Sequence, residues 1–350
     1  MKKILQNLKN GKTILEDLPI PSITEDEILI KTEKSLISVG TESMLLNFAN
    51  SNLINKAINH KDRVKDVLKK IKNEGVIKTY NAVNYKLSEP IELGYSNCGK
   101  VIKIGNNVRG FKVGDRVVSN KSHSEYVVSS ENFTVKVPSE VIAEHACFAI
   151  LGSVALNAIR IAKPEIGENC AVIGMGLVGI LTSQLLKANG CNVVGIDVDQ
   201  TKCDLAKKWG IKTLNPAITN PVKSVMALTH NYGADGTIIT ASTESNDVIS
   251  QAAQMSRKRG RIILVGVVGL DINRADFYKK ELSFQVSCSY GPGRYDDSYE
   301  QKGIDYPLPF IRWTEKRNFE AILEAIKNGS LDVKGLITER VPLENYNQIY

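Results

Sequence analysis

The chain has 350 residues, 43% hydrophobic and 24% charged, with 45 Lys and Arg against 38 Asp and Glu for a formal charge of +7. That length supports two domains with sizeable cores, and the small basic excess does not by itself argue for a nucleic-acid partner. Composition is that of a soluble globular protein, and no membrane span is expected.

At the N-terminus, MKKILQNLKNGK is basic, but Asn7, Lys9 and Asn10 interrupt any apolar signal segment. The six cysteines (Cys98, Cys147, Cys170, Cys191, Cys203, Cys288) are scattered with no CxxC pair, which suits a reducing cytoplasm. Short strands are expected at Thr13 to Leu15 and Glu27 to Thr32, the latter with Ile28 and Ile30 alternating, and Pro19 and Pro21 break the chain between them. Ser38-Val39-Gly40-Thr41-Glu42 reads as a turn entering a helix. A helical insert is expected over about 43–80, where Ile58, Val64, Val67, Leu68 and Ile71 form a stripe crowded by lysines from Lys56 to Lys78. Glycine-punctuated strands resume at Leu93 and run to Val137, the pattern of a compact, partly closed β domain.

After a mostly apolar helical stretch from Glu140 to Ala162, the chain alternates strand and helix. Ala171 to Ile173 leads into Gly174-Met175-Gly176-Leu177-Val178-Gly179, a helix follows to Asn189, and a second strand, Val193 to Ile196, ends in Asp197. Gly174 permits a sharp turn, Gly176 lets backbone approach a pyrophosphate, and Gly179 lets the helix pack close to the sheet. The free N–H groups at the helix start attract phosphate. Asp197 stands where a carboxylate accepts both ribose hydroxyls of NAD and repels a 2′-phosphate, so NAD is expected and NADP disfavoured. Helices near Lys202 to Trp209, after Pro221, and from Asn246 to Lys258 alternate with strands at Gly236 to Thr240, Arg261 to Val265 and Ser283 to Val286, giving a doubly wound parallel sheet. Near the end, Thr314 suits an N-cap for a helix to about Asn328, and VPLENYNQIY reads as the start of another helix.

The layout from Gly99 to Val118, followed by this nucleotide-binding half, resembles the medium-chain alcohol dehydrogenase superfamily over nearly the whole chain. The resemblance implies an α/β architecture: a GroES-like β-rich catalytic domain (1–145 and 295–350) and a Rossmann NAD-binding domain (146–294). It also implies Lys202 near the ribose, and Gly266 and Val267 near the nicotinamide. Zinc members carry ligands at places occupied here by Ser38 or Val39, by Tyr95-Ser96 and by about Ile150, none a good ligand, so a zinc-free site is expected with no metal. SYGPGRYD at 289–296 and GIDYPLPFIRWTEKRN at 303–318 look like the first half of bacterial two-domain oxidoreductases fused to a glucose–fructose-oxidoreductase-type domain. That likeness implies a sugar-related substrate and surface-polysaccharide metabolism, with a further C-terminal domain beyond this chain. A return segment from about residue 295 is then expected to dock on the β domain without its closing strand, and edge-to-edge pairing into a homodimer is expected.

Without zinc, a developing oxyanion needs hydrogen-bond donors or a general acid. Tyr95, at the metal's place, and Thr41, matching the family's relay hydroxyl, are the catalytic candidates. Arg294, Tyr295, Arg312 and Trp313 suit a nucleotide-linked or acidic sugar, because arginine forks bind phosphate and aromatic faces stack on sugars. Equally, Arg312 and Trp313 serve to anchor the return segment. Two further readings stay open: a quinone- or enoyl-reductase-like enzyme, and a non-catalytic NAD-binding scaffold.

Overall fold

The computed structural model describes residues 1–50 and 89–350. Strands β1 (Lys2–Gln6) and β2 (Thr13–Asp17) pair antiparallel, and β4 (Ile91–Glu92) lies on the other edge of β1. β3 (Glu27–Ser35), which lies between β2 and β4 in sequence, joins a second sheet with β5 (Asn97–Ile104), β6 (Arg116–Ser119), β7 (Tyr126–Ser130) and β8 (Thr134–Lys136), in the order β7-β3-β5-β6-β8. The alternation of β3 does the sorting. Ile28 and Ile30 are wholly buried and meet Val101, Val117 and Val127 in a core of their own, while Lys31 faces water. Helix α1 (Val39–Asn50) follows β3. The lysine-rich remainder of the expected insert lies outside the described residues.

Two helices, α2 (Ala143–Ala146) and α3 (Phe148–Ala162), lead into the second domain. One apolar stretch has the length of a membrane span. Ala143–Ala162 is long and apolar enough, but 72% of its window is buried inside the protein, the mark of a core helix. Strands β9 (Asn169–Ile173), β10 (Asn192–Ile196), β11 (Lys212–Leu214), β12 (Ala234–Ile239), β13 (Ser256–Leu264) and β14 (Ser283–Val286) then form one parallel sheet, ordered β11-β10-β9-β12-β13-β14. Of the linking helices, α4 (Leu177–Ala188) shares a core with α3. On the other side, α6 (Pro221–Leu228) and α7 (Asp247–Met255) bury Val225, Ala252, Ala253 and Met255 in a second core. α5 (Gln200–Lys207) and α8 (Arg274–Tyr278) complete the crossovers. Covered on both faces and reversing its strand order at β9 and β12, the sheet opens a crevice at the carboxyl ends of those strands.

Past β14 the chain forms the short α9 (Asp297–Glu300) and then α10 (Glu315–Lys327). Thr314 caps α10 by accepting from Arg317 N–H, and the helix buries Phe319, Ile322 and Leu323 on α3. The approach is close enough that a Cβ on Gly152 would meet Ile322 at 2.7 Å. The last residues make a 3-10 turn, Leu343–Gln348, in place of the expected α-helix start. They rest on the β domain: Lys2 pairs with Glu344 at 2.8 Å, Arg340 with Glu144 at 2.8 Å, and Tyr346 donates to Thr13 O at 3.4 Å. Among the described residues no strand follows β14.

Candidate cofactor and active site

The glycine turn at the end of β9 is built to keep side chains out. Gly174 has φ +99, where only glycine is at ease, and a Cβ on it would meet Ala241 N at 2.7 Å. A Cβ on Gly179 would stand 1.8 Å from Gly174 O, so the first turn of α4 lies directly on the loop. Gly176, the N-cap of α4, faces open space, which leaves its backbone and the N–H groups of Leu177 and Val178 free to approach an anion. Thr240, which the sequence reading missed, fastens the turn by donating to Gly174 O at 2.7 Å.

Asp197 ends β10 with its carboxylate already aimed. One oxygen accepts Met175 N–H at 2.6 Å and the other accepts Asp199 N–H at 2.8 Å. Each oxygen keeps a further lone pair for a ribose hydroxyl. Lys202 lies on α5, its ammonium 3.8 Å from Asp199 and about half exposed. Gly266 and Val267 lie just beyond β13. A Cβ on Gly266 would meet Ala241 O at 2.0 Å, and Val267 N–H donates to that same carbonyl at 3.1 Å, leaving the Val267 side chain 61% exposed at the crevice. The cofactor candidates thus converge on one crevice.

Tyr95 and Thr41 come together although 54 residues separate them: the Tyr95 hydroxyl donates to Thr41 Oγ1 at 3.2 Å. Tyr95 packs against the large apolar cluster that α3 and α4 share. Burial pushes the Tyr95 phenol above its ordinary value, opposed by hydrogen bonds to Ser38 and Thr41. It is therefore a protonated donor at neutral pH. Behind Thr41 lies a buried polar group absent from the sequence expectations. Glu42, 1% exposed, accepts Ser38 N–H at 3.1 Å and the Tyr350 hydroxyl, and both its oxygens are 3.3 Å from His123 Nε2. Ser35 Oγ holds the other ring nitrogen of His123 at 2.8 Å. The acid one residue after Thr41 is the visible signal. Its partners arrive from β-domain loops and the chain's last residue, which no local pattern reveals.

The expected substrate residues fall into two groups. Arg294 turns inward: its Nη1 donates to Glu300 at 2.5 Å and its guanidinium stacks on Tyr295 at 4.0 Å. Tyr295 is 74% exposed. Tyr290, 6% exposed, lies edge-on to Phe319 and donates to Asn120 at 3.4 Å; burial first, and then the Tyr95 charge, hold its phenol above the ordinary value. Trp313 departs from expectation. Arg160 of α3 lies 3.3 Å and Arg312 3.8 Å from its ring centroid. Two planar cations that close to one ring cannot share a face without overlapping, so they sandwich the indole. Neither face is left to stack on a sugar; only the ring edge is.

Residues 57–140 match the family described as alcohol dehydrogenase GroES-like domain, and residues 178–302 the family described as zinc-binding dehydrogenase. The chain is 28% identical over 270 residues to D-guloside 3-dehydrogenase of Escherichia coli K12, covering 74% of this chain and 72% of that protein. It is 24% identical over 286 residues to (R,R)-butanediol dehydrogenase of Bacillus subtilis, covering 73% and 75%. An Escherichia coli CFT073 alcohol dehydrogenase solved with NADH has the same fold, with TM-score 0.74 at 17% identity over 99% of this chain and 94% of that one.

The second family description carries a zinc, and the donor set here does not fit one. The expected ligand places hold Ser38, buried, or Val39, 71% exposed, Tyr95 and Ser96, and about Ile150, wholly buried among apolar neighbours. Among the described residues no three His, Cys, Asp or Glu side chains converge.

Proposed function

We propose that this chain, a medium-chain alcohol dehydrogenase-like oxidoreductase, passes a hydride between NAD and a hydroxyl or ketone of a sugar, without zinc. Bound NAD supplies the carbon that takes or gives the hydride. The chain's own residues do the rest. Gly174, Gly176, Leu177, Val178 and Gly179 receive the pyrophosphate, Asp197 and Lys202 the ribose, and Gly266 and Val267 border the nicotinamide. Tyr95 holds the proton that the substrate oxygen exchanges, and Thr41 accepts from the phenol and relays it toward solvent. Tyr295 and the Arg312–Trp313 corner face the sugar, with Arg294 holding the intervening loop through Glu300.

The observation that carries this reading is the Tyr95–Thr41 hydrogen bond, which holds a protonated donor available to a developing oxyanion. The sugar specificity is supported by D-guloside 3-dehydrogenase among the relatives. A role in surface-polysaccharide metabolism, a cytoplasmic location and a homodimer paired through the open edge of β14 belong to the same proposal, the location supported by six free cysteines.

The test is absorbance at the NADH band with panels of sugars, polyols and nucleotide sugars, with and without a chelator. Turnover with NAD that survives chelation is the expected result. Activity that chelation abolishes, or that requires the 2′-phosphorylated coenzyme, overturns the reading.

A further inference from the structure

The sandwich around Trp313 is a cluster of donors without acceptors. Arg160, in the last turn of α3, spends Nε on Asn318 at 2.8 Å, and neither of its terminal nitrogens has a protein acceptor among the described residues. Arg312 forms no ion pair or hydrogen bond among them, and Trp313 Nε1 has no acceptor either. The two cations disfavour each other: burial, then the Arg312 charge, brings the Arg160 guanidinium down to about 10. Most arginines of this protein are settled differently. Among the described residues Arg116, Arg257, Arg259, Arg261, Arg294, Arg317 and Arg340 each meet a carboxylate. One turn before Arg160, Asn157 donates to Ser287 at 2.9 Å just past β14. The cluster therefore lies on the β14 side of the sheet, three strands from the glycine turn on β9.

We infer that Arg160, Arg312 and the Trp313 indole N–H form a binding site for a phosphoryl group. Two guanidinium forks held on one ring, their terminal N–H groups without protein acceptors among the described residues, leave donors for the oxygens of one anion, and the indole adds a third. Phosphate fills that arrangement better than a carboxylate, because it offers oxygens to both forks at once. An anion here also removes the repulsion between the two cations. The site does not depend on the dehydrogenase reading. Only its use for a phosphorylated sugar rests on that reading, through Arg312 and Trp313.

The indole reports directly. In a Trp209→Phe background, Trp313 is the remaining tryptophan, and its fluorescence is followed while inorganic phosphate is added to the full chain without NAD. A saturable change is expected below about 10 mM phosphate, absent with chloride at equal ionic strength. Arg312→Gln, at an exposed position, should weaken it roughly tenfold or more with the fold unchanged, and Arg160→Gln is the second variant. Glucose 6-phosphate that competes with phosphate, where glucose does not, identifies a sugar phosphate as the source; phosphate binding without that competition identifies the free ion. No saturable change, a change that chloride reproduces, or indifference to Arg312→Gln overturns the site. So does protection of Trp313 from acrylamide quenching by self-association, which assigns the two arginines to a second copy. Because the readout needs no turnover, its failure is separable from failure of the proposed reaction.

Discussion

Glu42 and His123 lie 3.3 Å apart with both side chains almost completely buried, and they tie the start of α1 to a β-domain loop. Glu42 also receives Ser38 N–H and the Tyr350 hydroxyl, so one carboxylate joins its own turn to two distant segments. Its neighbour in sequence is Thr41, the acceptor of Tyr95.

Removing that carboxylate strands the donors. Glu42→Ala should destabilise the protein by about 3 kcal/mol, because Ser38 N–H, the Tyr350 hydroxyl and the His123 ring lose a buried acceptor together. Glu42→Gln, which keeps an acceptor oxygen, should lose less. Denaturant melts give the stabilities, and kcat against KM at a temperature where both variants stay folded shows whether Thr41 has shifted: a positioning role lowers kcat and leaves the KM for NAD unchanged. Equal stability of Glu42→Ala and wild type would show that the group is spared by solvent.

The acid at the end of β10 makes a sharper prediction about the coenzyme. Asp197 meets two backbone N–H groups, so replacing it affects both the ribose contact and the set of the glycine turn. Asp197→Asn keeps the size and one acceptor while removing the charge that opposes a 2′-phosphate. The kcat/KM for NAD should fall roughly tenfold to hundredfold, the cost of a charge-assisted hydrogen bond, and that for NADP should rise. Steady-state kinetics with the two coenzymes decides it; an unchanged ratio would place the ribose elsewhere.

Much of this crevice is legible in the chain because its logic is local. The spacing Gly174, Gly176, Gly179 and Asp197 falls within one strand–turn–helix–strand unit; the steric reasons for Gly174 and Gly179 are met by atoms of that unit or just past the next strand, while Gly176 faces open space. Thr314 as N-cap of α10 is legible for the same reason. What stayed hidden depends on long-range closure. Tyr350 reaches Glu42 across 308 residues, and Arg160 covers Trp313 from a helix half the chain away. Trp313 beside Arg312 looked like a sugar platform because the sequence cannot show that a third side chain takes its second face. Tyr95 and Thr41 lie between these cases: the resemblance selected them, and only the fold brings them together.

The Tyr95 phenol sets a pH expectation. Its pKa is raised above the ordinary 10.0, chiefly by burial, so the hydroxyl remains a donor throughout the neutral and mildly alkaline range. Ketone reduction should therefore be independent of this group from about pH 6 to about pH 9 and fall only at higher pH, as the phenol ionises. Tyr95→Phe should abolish that alkaline limb and lower turnover at least about tenfold while NADH affinity holds. A variant with wild-type turnover would remove Tyr95 from the reaction.

Glu315, at the start of α10, carries a stability prediction whose sign is fixed by its surroundings. The side chain is fully buried, neither carboxylate oxygen has a hydrogen-bond partner, and the Tyr299 hydroxyl of the adjoining α9 is likewise unpartnered. Burial, reinforced by the Glu300 charge and opposed by Arg294, pushes its carboxyl up to about 8 from an ordinary 4.5. The folded chain then binds a proton that the unfolded chain has released. Its contribution is complete below the unfolded value and is lost as pH rises toward the folded one, with a slope approaching about 1.4 kcal/mol per pH unit between them. Glu315→Gln fixes the neutral form. The variant should match wild type near pH 4.5 and be the more stable above pH 8, with its advantage growing across the interval, as chemical denaturation at a series of pH values will show. Parallel stability profiles for the two proteins would mean that the carboxylate is solvated or paired in solution, and that Arg294 and Glu300 do not govern its charge.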